Sequence, residues 1–136
     1  MSGESEVVER RKRQRFVAQH GGAHCFWVSL TGERRPLLDL SLEGFAMPAS
    51  SPPEANREFA FVLHREGASE EIRGRARVVN YLSTVSGGQA GCLFNAFDGD
   101  GAARLEDWLK AYVLDNAWVP ITERDASAIV SGPSLV

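Results

Sequence analysis

Cysteine is scarce in this chain of 136 residues: Cys25 and Cys92 are the only two. A chain of this length buries a moderate core without disulfides or metals. Each cysteine sits in an apolar, strand-like context, Cys25-Phe26-Trp27-Val28 and Cys92-Leu93-Phe94, and reads as a buried free thiol. The three histidines, His20, His24 and His64, are scattered. No Cys/His cluster has metal-ligand spacing, so no metal is expected. No apolar run approaches the roughly 18 residues that a membrane-spanning helix needs. The N-terminus, Met1 to Glu6, is polar and lacks the apolar core of a signal peptide. These absences predict a cytoplasmic protein without membrane insertion. No internal repeat is evident. Catalytic signatures are missing too: no Ser/His/Asp or Cys/His set, no G-x-S-x-G and no phosphate loop. Asp98-Gly99-Asp100-Gly101 has the outline of a calcium loop, but position 12 counted from Asp98 is Leu109 rather than a bidentate Glu. An enzyme is not expected.

What is present is ordinary in bulk and uneven in detail. Hydrophobic content of 43% and charged content of 24% suit one globular domain. The net charge is −3, so bulk charge does not make the chain a polyanion binder. Against that background, Arg10-Arg11-Lys12-Arg13-Gln14-Arg15 packs five of the fifteen Lys and Arg residues into six positions. Residues 1–19 are dominated by charge and read as a flexible basic tail that orders on binding.

The following segments alternate as strands. His24 to Leu30 is apolar, aromatic or β-branched. Arg34 to Leu40 returns as a second strand, and Gly44 to Met47 starts a third after a tight turn or bulge that glycine permits. Pro52-Pro53 marks a loop. Glu58 to His64 carries apolar residues on both faces, which predicts burial on both sides. In the next strand Ile72, Gly74, Ala76 and Val78 point one way, and Arg73, Arg75 and Arg77 the other. Those arginines form either a solvated outer face or an extension of an anion-binding surface. Ala90 to Ala96 is the sixth strand, after a Gly-rich turn over Thr84 to Gln89. Then the period changes. Asp98 or Asp100 caps a helix, and Ala102, Leu105, Trp108, Leu109, Tyr112 and Val113 form its apolar stripe. Pro120 stops its continuation. Glu123 to Val130 admits a short helix or a partner-binding tail. The expectation is an all-β-dominated fold, a six-stranded antiparallel split β-barrel with a C-terminal amphipathic helix. Its divisions are a basic tail over 1–19, the barrel and helix over 20–115, and a C-terminal tail over 116–136.

Two motifs stand out together. Asp39-Leu40-Ser41-Leu42-Glu43-Gly44 reads D-x-S-x-x-G, and Arg11 and Arg15 form R-x-x-x-R, with twenty-three residues between Arg15 and Asp39. In this order and separation they resemble the PilZ domain, whose members include receptors for the bacterial second messenger cyclic di-GMP. The resemblance covers roughly residues 9–114, including a closing strand with Gly91 followed by Phe94. It implies that Arg11 and Arg15 are the family's paired arginines, and that Asp39, Ser41 and Gly44 are its second motif. Arg10 matches the position before the first motif, where an arginine in the family goes with an intercalated ligand dimer. One departure concerns the fifth strand, where many members carry Trp after Val-Val. Here Val78-Val79 is followed by Asn80 and Tyr81, which removes a stacking contact.

The chemistry agrees with the resemblance. A guanidinium fork matches the O6/N7 acceptor pair of guanine, stacks on purine faces and binds phosphate through charge-assisted hydrogen bonds. A carboxylate beside a polyanion is repulsive unless it accepts from the guanine N1–H and N2–H₂ donors, the role this gives Asp39. The expected function is a cyclic di-GMP receptor and adaptor whose ordered tail signals to an unknown downstream protein. The alternative is a PilZ-fold protein that binds no nucleotide and acts only through protein contacts. A nucleic-acid-binding barrel with a basic arm is a third reading; the charge of −3 and the placement of Asp39 argue against DNA or RNA as partner.

Overall fold

A computed structural model describes residues 15–17, 19–20, 23–51, 53–85, 87–116 and 121–132. Its strands are β1 (Phe16–Val17), β2 (Gln19–His20), β3 (Ala23–His24), β4 (Phe26–Ser29), β5 (Arg34–Pro36), β6 (Asp39–Leu40), β7 (Gly44–Pro48), β8 (Glu58–Arg65), β9 (Glu71–Thr84) and β10 (Gly87–Phe97). Two helices follow, α1 (Gly101–Asn116) and α2 (Glu123–Ser131). Eight strands form one antiparallel sheet in the order β1-β6-β7-β10-β9-β8-β4-β5, while β2 and β3 pair separately.

The sheet is a half-barrel of eight strands, not the expected six-stranded barrel, and it is not closed. Two local events account for the count. Phe16–Val17 adds β1 to the edge by pairing with Asp39–Leu40. The expected strand over Arg34 to Leu40 divides, because its start pairs with β4 and its end with β7. The break falls at Leu37 and Leu38. Leu37 N–H donates to Phe26 C=O at 3.0 Å, and Leu38 N–H to Ala46 C=O at 2.8 Å. One run of chain therefore serves both ends of the curled sheet.

The alternation of β9 appears as expected: Ile72, Gly74, Ala76 and Val78 are buried, while Arg73 and Arg75 are exposed. In β8 the expectation of two buried faces is corrected. Phe61 and Leu63 are buried, but Ala60 on the other face is exposed beside Arg75. The turn after β9 is shorter than expected, since Thr84 pairs with Gly87.

The concave side of the sheet is filled by Phe26, Val28, Phe45, Phe61, Leu63 and Ile72, and is covered by Leu105, Trp108 and Leu109 of α1. Aromatic rings carry much of this contact. Phe61 and Phe94 lie 5.3 Å apart, Phe94 and Phe97 4.7 Å, and Phe26 stacks on Trp108 at 6.3 Å. Such pairs add about 0.5–1.5 kcal/mol each beyond area burial. The helix starts where the Asp100 carbonyl accepts from Arg104 N–H at 3.0 Å. Its buried stripe begins at Gly101, which packs closely on Ile72 and Phe97, rather than at Ala102, which is exposed. Residues 123–131 are helical. Thr122 and Asp125 form a reciprocal capping box, and Ala126 and Val130 are buried.

Candidate functional site

Arg15, the described residue of the first motif, meets the second motif at the β1–β6 edge. Antiparallel pairing sets Phe16 opposite Leu40 and Val17 opposite Asp39. Phe16 and Leu40 point inward and are buried, and the Phe16 ring meets Tyr112 of α1 edge-on at 5.8 Å. With Phe16 anchored, its neighbour Arg15 falls beside Asp39, Nη1 to Oδ2 at 4.0 Å. Both side chains keep contact with solvent, at 34% and 25% exposure. Arg10 and Arg11 lie outside the described residues.

Ser41 and Gly44 play a different part. Ser41 is buried, and its hydroxyl oxygen accepts from the backbone N–H of Glu43 and of Gly44, each at 3.2 Å, and donates to Gly44 C=O at 3.3 Å. Its donor and acceptor capacity closes the β6–β7 turn. Gly44 is buried as well, and a Cβ there would overlap the Cys92 carbonyl oxygen of β10. The close backbone approach expected of Gly44 is thus an approach of β10. Of the four described motif residues, Arg15 and Asp39 face solvent together, while Ser41 and Gly44 hold the loop beneath them.

The cross-strand register continues from Asp39 through Ala46 and Gly91 to Asn80. The Asn80 amide lies across Gly91, where a Cβ would collide with it. The residue that departs from the family's Trp therefore stands in the same row as Asp39. Farther along β10, a hollow of about 250 Å³ is bordered by Leu42, Glu43, Arg77 and Leu93 and shares no residue with that row.

The three arginines of β9 are paired with neighbours. Arg73 contacts Glu71 at 2.7 Å, Arg75 lies 3.8 Å from Glu58, and Arg77 donates to the Asn95 amide oxygen, which is carried on the residue that also bonds Glu58. The three arginines thus share two carboxylates, Glu71 and Glu58, with Arg77 held by a neutral amide.

A second cleft escaped the sequence reading. About 300 Å³ in volume, it lies between the start of β4, the end of β8 and the last turn of α1, with Cys25, Arg65, Tyr112 and Asp115 on its walls. Burial raises the Cys25 thiol above its usual range, and burial followed by the nearby Cys25 raises the Tyr112 hydroxyl. No spacing reveals it, because its lining comes from segments brought together only by the fold. Burial pushes the Cys92 thiol up to about 12, so it is an inert core group. Among the described residues no group of three or more His, Cys, Asp or Glu is placed to hold a metal. No helix there is long and apolar enough to cross a membrane.

No family model and no curated protein sequence matches this chain. Solved structures do. The Bacillus subtilis inhibitor of motility, MotI/DgrA, superposes with a TM-score of 0.64 at 13% identity, over 80% of this chain and 53% of its own. K. pneumonia MrkH, solved as its complex with c-di-GMP, gives a TM-score of 0.65 at 21% identity, over 79% of this chain and 54% of its own. An uncharacterized Legionella protein gives 0.53 at 15% identity, over 74% of this chain and 95% of its own. This chain thus spans about half the length of MotI/DgrA and MrkH. At these identities the likeness is one of fold, and that fold is PilZ-like.

Proposed function

We propose that this chain is a receptor for cyclic di-GMP and acts as an adaptor rather than an enzyme. The observation that carries the reading is the Arg15–Asp39 pair, 4.0 Å apart on an accessible sheet edge. It joins a guanidinium that suits guanine O6/N7 or phosphate to a carboxylate that suits the guanine N–H donors. The PilZ-like fold it shares with MrkH, which was solved with c-di-GMP, supports the same ligand. In this proposal Arg10, Arg11 and Arg15 clamp the dinucleotide and Asp39 reads a base edge. Ser41 and Gly44 fix the turn that aims Asp39. Arg10 brings a second ligand molecule, and no metal takes part. Binding holds the basic arm against the sheet, and the new surface of arm and ligand is what a downstream protein reads.

Isothermal titration with cyclic di-GMP, with GTP as control, tests this. Saturable binding near micromolar is expected, with a stoichiometry of two if Arg10 has the role given to it and one otherwise. An absence of heat and of any thermal shift at high ligand would replace the receptor with a PilZ-fold protein that works only through protein contacts. Hydrogen exchange in residues 8–18 should slow on adding ligand, and unchanged exchange there removes the arm from the signalling step.

A further inference from the structure

The edges of the sheet differ in how they are protected. β5 ends the sheet order and reads Arg34-Arg35-Pro36. Two cations and a residue without an N–H are what keep an edge from pairing with another chain. β9 contains a second stretch of edge, less obvious because it lies mid-sheet. It runs from Glu71 to Thr84, but its partner β8 begins at Glu58, opposite Arg77. On that side Asn56 N–H still reaches Val78 C=O at 2.9 Å. From Asn80 to Thr84 the strand pairs with β10 alone. In an antiparallel ladder alternate residues turn their N–H and C=O outward, so this run offers backbone groups with no strand beside them among the described residues.

Its sequence is Val79-Asn80-Tyr81-Leu82-Ser83-Thr84-Val85, with no charge and no proline in a chain that is 24% charged. Leu82 is 56% exposed, Val79 39%, and Val85 is fully exposed. None of the devices that guard β5 is present here.

We propose that this edge pairs antiparallel with the same edge of a second copy of the chain, about a two-fold axis, so that the sheet continues across a homodimer. Self-complementarity decides for a second copy over another partner. A two-fold axis sets residue i opposite residue j of the other copy and j opposite i, with only the residue at the axis facing itself, so like charges on a short edge would be brought together. The Val79–Val85 run has none, whereas β5 would set Arg34 and Arg35 against themselves. A charged partner strand would find no counter-charge here, while an axis at Leu82, which is 56% exposed, sets that side chain against its own copy. The contact is short and falls below the area of a standard stable interface, so dimerisation in the range of tens of micromolar is expected. The inference is independent of the nucleotide.

Sedimentation velocity of the full chain without nucleotide, from about 5 to about 500 µM, tests it at concentrations suited to a small interface. The wild type is expected to shift from monomer to dimer across that range. Leu82→Lys, which installs the missing guard at an exposed site, should raise the dimer dissociation constant at least tenfold with an unchanged melting temperature. Ile129→Lys, which alters an exposed apolar residue on α2, should leave dimerisation as in the wild type. A wild type that stays monomeric throughout overturns the proposal. A dimer equally tight in Leu82→Lys overturns it as well, as does one lost in Ile129→Lys but kept in Leu82→Lys.

Discussion

Asp39 and Gly44 lie five positions apart in one motif, yet the fold treats them in opposite ways. Asp39 keeps a quarter of its side chain in solvent and has Arg15 beside it at 4.0 Å. Gly44 is buried with no room for a methyl group, and Ser41 between them spends its hydroxyl on the turn. A motif that reads as one row of residues is, in three dimensions, a buried turn and one partly exposed carboxylate. Substitutions at the buried end should therefore act on stability, and those at the exposed end on affinity.

Gly44→Ala makes the harshest test. Its Cβ would meet the Cys92 carbonyl, and neither backbone can yield without breaking the β7–β10 pairing. A loss of about 3 kcal/mol or more is expected, seen as a fall of roughly 10 °C or more in thermal midpoint. A variant that melts within about 2 °C of the wild type on that same scale would break the comparison at its root. Ser41→Ala should come next, at about 1–3 kcal/mol, since two backbone N–H groups in the turn lose their acceptor. Urea unfolding measures it, and the folded variant should lose less affinity than the Arg15 variant does.

Arg15→Ala sharpens the other half. A partly exposed ion pair at 4.0 Å contributes no more than about 1 kcal/mol to folding, so unfolding should scarcely change. Affinity for cyclic di-GMP should fall at least tenfold, equivalent to about 1.4 kcal/mol, and Arg11→Ala should do the same. A titration that matches the wild type in either variant sinks the proposed site.

How much of this could be read from the sequence depends on how local each feature is. The alternation of β9 and the stripe of α1 are short-range patterns and appear as expected, apart from Ala102. The division of Arg34–Leu40 is different. Leu37 and Leu38 look like any strand interior, and the one local sign that the run leaves β4 for β7 is Pro36, which cannot donate to a ladder. β1 was hidden for a similar reason: Phe16 and Val17 are two apolar residues at the end of a basic stretch, and only Leu40 and Tyr112, distant in sequence, make Phe16 an anchor. α2 had a signal, Thr122-Glu123-Arg124-Asp125, whose T-x-x-D spacing matches the capping box that forms. In the site, residue types pointed to chemistry, but the division of Asp39 from Ser41 and Gly44 rests on burial, which the motif does not encode.

The smallest expected effect compares the Arg15–Asp39 pair with an ionisable site across the sheet. His64 of β8 has Nε2 at 2.9 Å from Ser29 Oγ, while Nδ1 lies 3.3 Å from the Arg34 guanidinium and 3.5 Å from Glu71. A guanidinium only donates, so the contact with Arg34 requires an unprotonated Nδ1. Burial, then the Arg34 charge, with a smaller contribution from Arg73, hold His64 below its usual range, and Glu71 only partly opposes them. A depressed folded-state value means that folding favours the neutral ring. The resulting stability is fully present above the unfolded value of 6.5 and is lost as pH falls below it toward the folded value. Urea midpoints should thus hold steady from about pH 8 to 7 and decline below about pH 6.5. His64→Gln, which keeps a neutral hydrogen-bonding group, should flatten that decline, whereas Arg15→Ala should leave its slope unchanged. An equally steep decline in His64→Gln would assign the acid sensitivity to another group.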